Sequence, residues 1–169
     1  MHIVDVIRLF LFPALVAFAA ASDLLTMTIS NRVSIALVAG FALLAVATGM
    51  PLTEVGLHAA AATVVLVAAF AFFACGWIGG GDAKLAAATA LWLGFDQLVN
   101  YLLIASLLGG SLTLLILQFR RFMLPVSWTG QDWIQRLHQK DAGVPYGIAL
   151  AAAALVVYPD TIWMKGLGL

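Results

Sequence analysis

Long hydrophobic runs make up most of this chain, and short polar stretches separate them. Most runs approach the roughly 20 residues that an α-helix needs to cross a bilayer. Since unpaired backbone groups cannot face lipid, we interpret the runs as helices. The six predicted spans are Ile3–Ala21, Val33–Gly49, Leu57–Ile78, Ala83–Gly94, Leu98–Phe119 and Tyr146–Met164.

Two of these runs require a choice between interpretations. Arg8 and the small residues that end the first run are features of a signal peptide. We expect a retained span instead, because the run is long enough to cross and more spans follow it. The fourth run, Ala83–Gly94, covers only part of a ~30 Å hydrocarbon core at ~1.5 Å per residue, unless neighbouring residues extend it.

The basic residues give the expected arrangement of these spans. Six of the eight Lys and Arg residues fall in three connections, Asp23 to Arg32, Gly79 to Lys84 and Arg120 to Val144. Six helices place all three connections on one side, which the positive-inside rule identifies as the cytoplasm. The sequence therefore predicts an all-α membrane protein, one domain over residues 1–169, with six transmembrane helices and both termini on the extracytoplasmic side.

Composition removes several function classes. The chain is 64% hydrophobic and 9% charged with zero net charge, so the lipid bilayer is an expected partner and nucleic acid is not. Cys75 is the only cysteine, which excludes an intrachain disulfide and a Cys-based zinc site; we expect it to be a small buried side chain. The three histidines lack ligand spacing, so no metal or other cofactor is expected.

Two further features concern the ends of the spans and the longest loop. Residues Thr129–Lys140 predict a short amphipathic helix on the inner membrane surface, with a capping arrangement at Thr129. A solvated loop is the alternative for this segment. Trp77, Trp92 and Trp163 lie near span ends, where we expect them to be interfacial anchors.

Two carboxylates are the main candidates for chemistry. Asp23 ends the first predicted span and Asp82 begins the fourth, so both are expected on the same side of the membrane. An ionisable group at the edge of the hydrocarbon is costly to desolvate and is a functional candidate by default. Two such groups brought together tend to share one proton, which is the arrangement that an aspartic protease uses to activate water and polarise a peptide carbonyl.

Sequence motifs around both acids resemble one family. Gly79-x-Gly81-Asp82 matches the GxGD signature of membrane aspartyl proteases. The following Lys84-Leu85 and Leu91-Trp92-Leu93-Gly94 are similar to the type IV prepilin peptidase family, especially its short CpaA/TadV-type members. The stretch Ser22 to Arg32 resembles the family's first-aspartate motif, although Ser30 replaces the usual proline; this change leaves Asp23 and Asn31 in place, and the sequence does not fix its effect on the turn. Val144-Pro145-Tyr146-Gly147 also resembles the family.

The resemblance implies a function and a set of residues. It implies an aspartic endopeptidase of the bacterial inner membrane that cuts the basic leader from prepilins, whose hydrophobic helix follows the cut. Asp23 and Asp82 would carry catalysis and Gly79 and Gly81 would shape the site. The family's methylating members have a cysteine-bearing insert, and this chain has no room for it between its first two helices, so we predict cleavage without N-methylation.

Other roles and a rival function stay open at this point. Lys84 is expected to reach the inner interface or to contact substrate, and Asn31 to form a turn or to bond near Asp23. A small proton- or cation-coupled transporter using Asp23 and Asp82 is the alternative function, and it would favour acids near the membrane midplane. The sequence does not fix the oligomeric state, and a homo-oligomer is compatible with it.

Overall fold

The computed structural model describes residues 3–128 and 130–166. All regular secondary structure in these residues is helical, which confirms the predicted all-α class. Two short 3₁₀ turns accompany the α-helices, at Val126–Trp128 and Tyr158–Asp160. The helices are α1 Ile3–Thr26, α2 Asn31–Ala47, α3 Leu52–Ala74, α4 Gly80–Phe119, α5 Asp132–His138, α6 Gly147–Val157 and α7 Ile162–Lys165.

Each predicted span corresponds to helix in the described residues. Four helical stretches are long and apolar enough to cross a membrane: α1, α3, α4 and the stretch from α6 through α7. The apolar helix α2 is shorter, at 17 residues. Helix α4 contains two of the predicted spans and is divided at Gly94 into a first arm, 80–93, and a second arm, 95–119. The chain is therefore a multi-pass helical membrane protein, and the orientation of its termini stays a prediction.

Gly94 turns the chain back on itself within a single residue. Its backbone has φ 64° and ψ −176°, a combination that is accessible essentially to glycine alone. A straight helix would separate Asp82 from Thr113 by about 46 Å at 1.5 Å per residue. Both residues instead line one cavity, so the two arms of α4 run back beside each other. The predicted connection Phe95–Gln97 was wrong, because these residues already belong to the second arm.

Side chains from two other helices satisfy the carbonyls at this turn. A helix end leaves its last carbonyls without intrahelical partners, which is costly away from water. His58 Nδ1 lies 2.7 Å from the carbonyl oxygen of Leu91 and must carry the hydrogen, since a carbonyl only accepts. Trp163 Nε1 donates to the carbonyl of Trp92 at 2.8 Å. The first arm of α4 therefore ends in the protein interior with the carbonyls of Leu91 and Trp92 paired.

The core is built around this first arm, which corrects two expectations. Trp92 is 0% exposed and Trp163 is 2% exposed, so they are core residues and not interfacial anchors. The reason is that their indole N–H groups are used inside the bundle, Trp92 on the Leu37 carbonyl and Trp163 at the Gly94 turn. Trp77 is 74% exposed. Cys75 is also exposed and not buried, because it caps the end of α3 beyond the packed part of that helix.

The three basic connections gather at one end of the bundle, as their charges predicted. One cavity is lined by residues from all three: Asp23 and Met27, Gly79 and Asp82, and Gly143 and Val144. Helix α5 confirms a short helix in the long loop, with Leu137 buried and Trp133 and Ile134 half-buried. Its cap is Gln131, and the expected capping residue, Thr129, lies outside the described residues.

Candidate active site

Asp23 lies in the last turn of α1 and faces the beginning of α6. The residue is 5% exposed, and its Oδ2 accepts a hydrogen bond of 2.7 Å from the backbone N–H of Gly147. Gly147 is the first residue of α6, so this N–H is one of the donors that a helix leaves unpaired at its start. The positive end of the helix dipole also favours negative charge at this place. The carboxylate of Asp23 is thus hydrogen-bonded by a residue that is 124 positions away in the sequence.

The chain after Asp23 makes a tight, well-bonded turn. Met27 has φ 55°, in the left-handed region that side chains larger than glycine rarely adopt. Two hydroxyls stabilise this turn: Ser22 Oγ donates to the carbonyl of Thr28 at 3.0 Å, and Thr26 Oγ1 donates to the carbonyl of Ser22 at 2.7 Å. The turn moves the backbone sharply away from Asp23 and leaves the carboxylate facing the neighbouring connections.

Ser30, which stands in place of the family's usual proline, lies at the end of this turn. It is the N-cap of α2, and its hydroxyl accepts a hydrogen bond from the backbone N–H of Arg32 at 3.3 Å. Its φ of −66° is also the value that a proline ring would enforce. The serine therefore keeps a proline-like backbone and adds a cap, which stabilises a helix start typically by about 1 kcal/mol relative to alanine.

Asp82 is the third residue of α4 and is half-buried. Its Oδ1 is buried and has no hydrogen-bond partner among the described residues. Its Oδ2 lies against the N-cap, Gly79, where a Cβ would come within 2.8 Å of that oxygen. At Gly81 a Cβ would come within 3.1 Å of the Ile29 Cβ, in the turn after the first acid. The glycines before Asp82 thus allow close approach both to the acid and to that turn.

The two acids line the same two cavities at this end of the bundle. The inner cavity, of about 340 Å³, lies between the turn after α1 and the start of α4. The loop cavity, of about 650 Å³, is lined in addition by the connection after α3 and by Gly143 to Tyr146. The structure therefore brings together carboxylates that are 59 positions apart in the sequence, with space beside them for a water molecule and a peptide chain.

Lys84 and Asn31 lie at the edge of the inner cavity and bond to each other. Lys84 Nζ donates to Asn31 Oδ1 at 2.9 Å, which joins the first arm of α4 to the start of α2. Both residues line the inner cavity together with Asp23 and Asp82. Their contact links the two helices, and their roles toward a substrate stay predictions.

No sequence pattern singles out Arg120 as a site residue. It caps the second arm of α4, and its Nε donates to the carbonyl of Leu137 at 2.8 Å. Its Nη2 donates to the carbonyls of Ala142 and Gly143, also at 2.8 Å. The guanidinium thus fixes the end of α5 and the segment that leads to Gly147. Gly147 belongs to the motif Val144 to Gly147, which resembles the family but does not indicate a role for the glycine.

We expect loss of the Arg120 guanidinium to displace the Gly147 N–H from Asp23. Arg120→Gln should lower the rate of a reaction that uses Asp23 about tenfold, mostly through kcat, because three carbonyls lose charged donors and the segment relaxes. Arg121→Gln is the matched control, since Arg121 is the next residue, carries the same charge and is exposed. Equal activities of the two variants would show that Arg120 does not position the site.

The fold and these contacts define a class of protein: a multi-pass helical membrane protein in which carboxylates from two helices share cavities at one end. The chain belongs to the type IV leader peptidase family, whose family model matches residues 10–114, a range that includes both acids. No curated protein and no solved structure matches the chain. Membership confirms the family resemblance and implies a protease, of the aspartic type in general. The CpaA/TadV-type subgroup and the roles of individual residues stay predictions.

Proposed function

We propose that this chain is an aspartic endopeptidase of the bacterial inner membrane that removes the short basic leader from Flp-type prepilins. One observation carries the proposal: in a chain of the type IV leader peptidase family, Asp23 and Asp82 come from different helices and line the same two cavities. The cavities lie where the basic connections gather, the end that the positive-inside rule assigns to the cytoplasm. A leader that stays in the cytoplasm would meet the acids there.

The surroundings of the two carboxylates support different roles in hydrolysis. The Gly147 N–H and the start of α6 favour the negative charge on Asp23, so we assign to Asp23 the acceptance of a proton from the attacking water. Asp82 also lies in the first turn of a helix, but its Oδ1 is buried with no donor among the described residues, so we assign the shared proton to Asp82. Asp82 then hydrogen-bonds the scissile carbonyl, and the proton gained by Asp23 passes to the leaving nitrogen.

Cleavage without N-methylation is part of the proposal. The connection between α1 and α2 consists only of residues 27–30, and these form the tight turn after Asp23. The single cysteine, Cys75, is the C-cap of α3 and so belongs to a different connection from any such insert. We therefore expect the product to have a free, unmodified N-terminal amine.

Co-expression with a Flp-type prepilin tests this function. The host would lack its own leader peptidase, and the mature pilin would be examined by mass spectrometry of its N-terminus. We expect leader removal by the parent chain, none by Asp82→Asn, and no added methyl group on the product. Absence of processing by the parent would contradict the peptidase assignment, and a methylated product would contradict only the second part of the proposal.

A further inference from the structure

A membrane-facing groove begins at Asp82 and runs along the bundle away from the acids. Its walls are α3 on one side and the second arm of α4 on the other, and its floor is formed by the first arm of α4 and by α6. We call it the apolar groove; it holds about 240 Å³. Asp82 is the only charged residue among the described residues that line it. The groove is thus an apolar extension of the candidate active site.

The two walls present matching rows of side chains. Val64, Ala68 and Phe72 are spaced by four residues, which places them on one face of α3. Leu98, Leu102 and Ser106 do the same on the second arm of α4. Each row extends about 12 Å along its helix at 1.5 Å per residue, or two helical turns.

Small side chains in each wall allow another helix to approach closely. Ala68 and Ser106 are exposed in the groove. The Ser106 hydroxyl donates to the carbonyl of Leu102 at 2.7 Å, so its polar group is already satisfied within its own helix. Small residues of this kind are the usual contact points between helices in a membrane. The groove surface therefore fits the side of an apolar helix better than a polar peptide.

We propose that the apolar groove seats the hydrophobic helix of the substrate, with the first turn of that helix at Asp82. This inference rests on the proposed function, because a bond cut between a leader and a hydrophobic helix places the helix directly beside the acids. Continuity supports it: Asp82 and Tyr146 line both the apolar groove and the loop cavity. The leader would then lie in the loop cavity and the helix in the groove.

A second membrane-facing cleft provides a contrast. It holds about 480 Å³ between α2, α3 and the first arm of α4, and Lys84 lines it. Neither Asp23 nor Asp82 is among the residues that line this cleft. Lys84 also lines the inner cavity, so this cleft adjoins the site through Lys84 and not through either acid, and the apolar groove is the more direct path for the substrate.

Kinetics with two substrates tests the groove. Ala68→Phe and Ser106→Phe fill it, while Val67→Phe and Leu107→Phe place the same ring on the next residue, exposed and outside every cavity described above. The substrates are a full-length prepilin and a soluble peptide that ends shortly after the cut. We expect the preference for the full-length substrate, as a ratio of kcat/KM, to fall about tenfold in the groove variants and to stay at the parent value in the controls.

Photocrosslinking gives a second measurement, which detects bound substrate and does not require that the variant cleave it. A photoreactive phenylalanine at position 68 or 67 in the Asp82→Asn background should trap the prepilin from position 68 and not from position 67. An unchanged substrate preference in both groove variants, or equal crosslinking from both positions, overturns the groove assignment. A parent chain that cleaves neither substrate overturns the proposed function instead, and with it the basis for this inference.

Discussion

Asp23→Asn and Asp82→Asn are each expected to reduce leader removal about 10³-fold or more, since an amide of the same shape cannot exchange the proton that hydrolysis requires. The fold should survive both changes. Asp23 would keep a side-chain oxygen for the Gly147 N–H, and Asp82 Oδ1 has no partner to lose among the described residues. The measurement is the initial rate of prepilin cleavage by purified, detergent-solubilised protein.

The variant that combines Asp23→Asn with Asp82→Asn tests whether the two carboxylates share one proton or act independently. If the carboxylates act as one unit, Asp23→Asn combined with Asp82→Asn costs no more than either change alone. Asp96→Asn is the matched control, because Asp96 is an exposed carboxylate on the same helix as Asp82 and lines neither acid cavity. A single variant that trims prepilin at the parent rate, or an effect of Asp96→Asn of similar size, would contradict the assignment.

The sequence predicts that the two acids lie on the same side of the membrane, because the number of spans between them is even. Two spans separate Asp23 from Asp82, so the chain must return to the side that it left, whatever the details of packing. The basic connections gave the same answer through an independent physical effect, the cost of moving Lys and Arg across the membrane. The structure accordingly places both carboxylates on the same cavities.

The residues that hold the acids were not predictable in the same way. The Gly147 N–H is a backbone donor, so nothing in its side chain announces the bond to Asp23. Arg120 looks like one more positive-inside charge, and only the folded loop shows that it binds carbonyls at Leu137, Ala142 and Gly143. The hydropathy of a segment does not distinguish burial in lipid from burial in protein. Hydrogen bonds between distant backbone groups produce no periodic pattern in the sequence.

The prediction that Trp92 and Trp163 are interfacial was wrong for a related reason. An indole near the end of a span can face the membrane interface or turn inward, and sequence position alone does not distinguish these cases. The decisive factor was the one-residue reversal at Gly94, which leaves carbonyls inside the bundle that Trp163 and His58 satisfy. A glycine in an apolar run gives little warning of such a turn, since glycines also serve simply to pack helices.

Gly147→Ala is expected to cause the second-largest loss of activity. A Cβ on Gly147 would lie 2.8 Å from Asp23 Oδ2 and 2.7 Å from the Ile29 Cδ1. The end of the Ile29 side chain can move, but Asp23 can move only by lengthening its bond to the Gly147 N–H. Overpacking of this kind typically costs about 1–3 kcal/mol, which corresponds to about tenfold to hundredfold in rate if it falls on the transition state.

The comparison with a second glycine separates geometry from general instability. Gly110→Ala makes the same chemical change where a Cβ would meet nothing within 4 Å. Both variants should be compared with the parent for kcat, KM and thermal midpoint in the same detergent. We expect Gly147→Ala to lose kcat with little change in KM, because the first acid is displaced while the rest of the site stays in place. A parent-like kcat in this variant would mean that catalysis does not depend on the hydrogen bond that fixes Asp23.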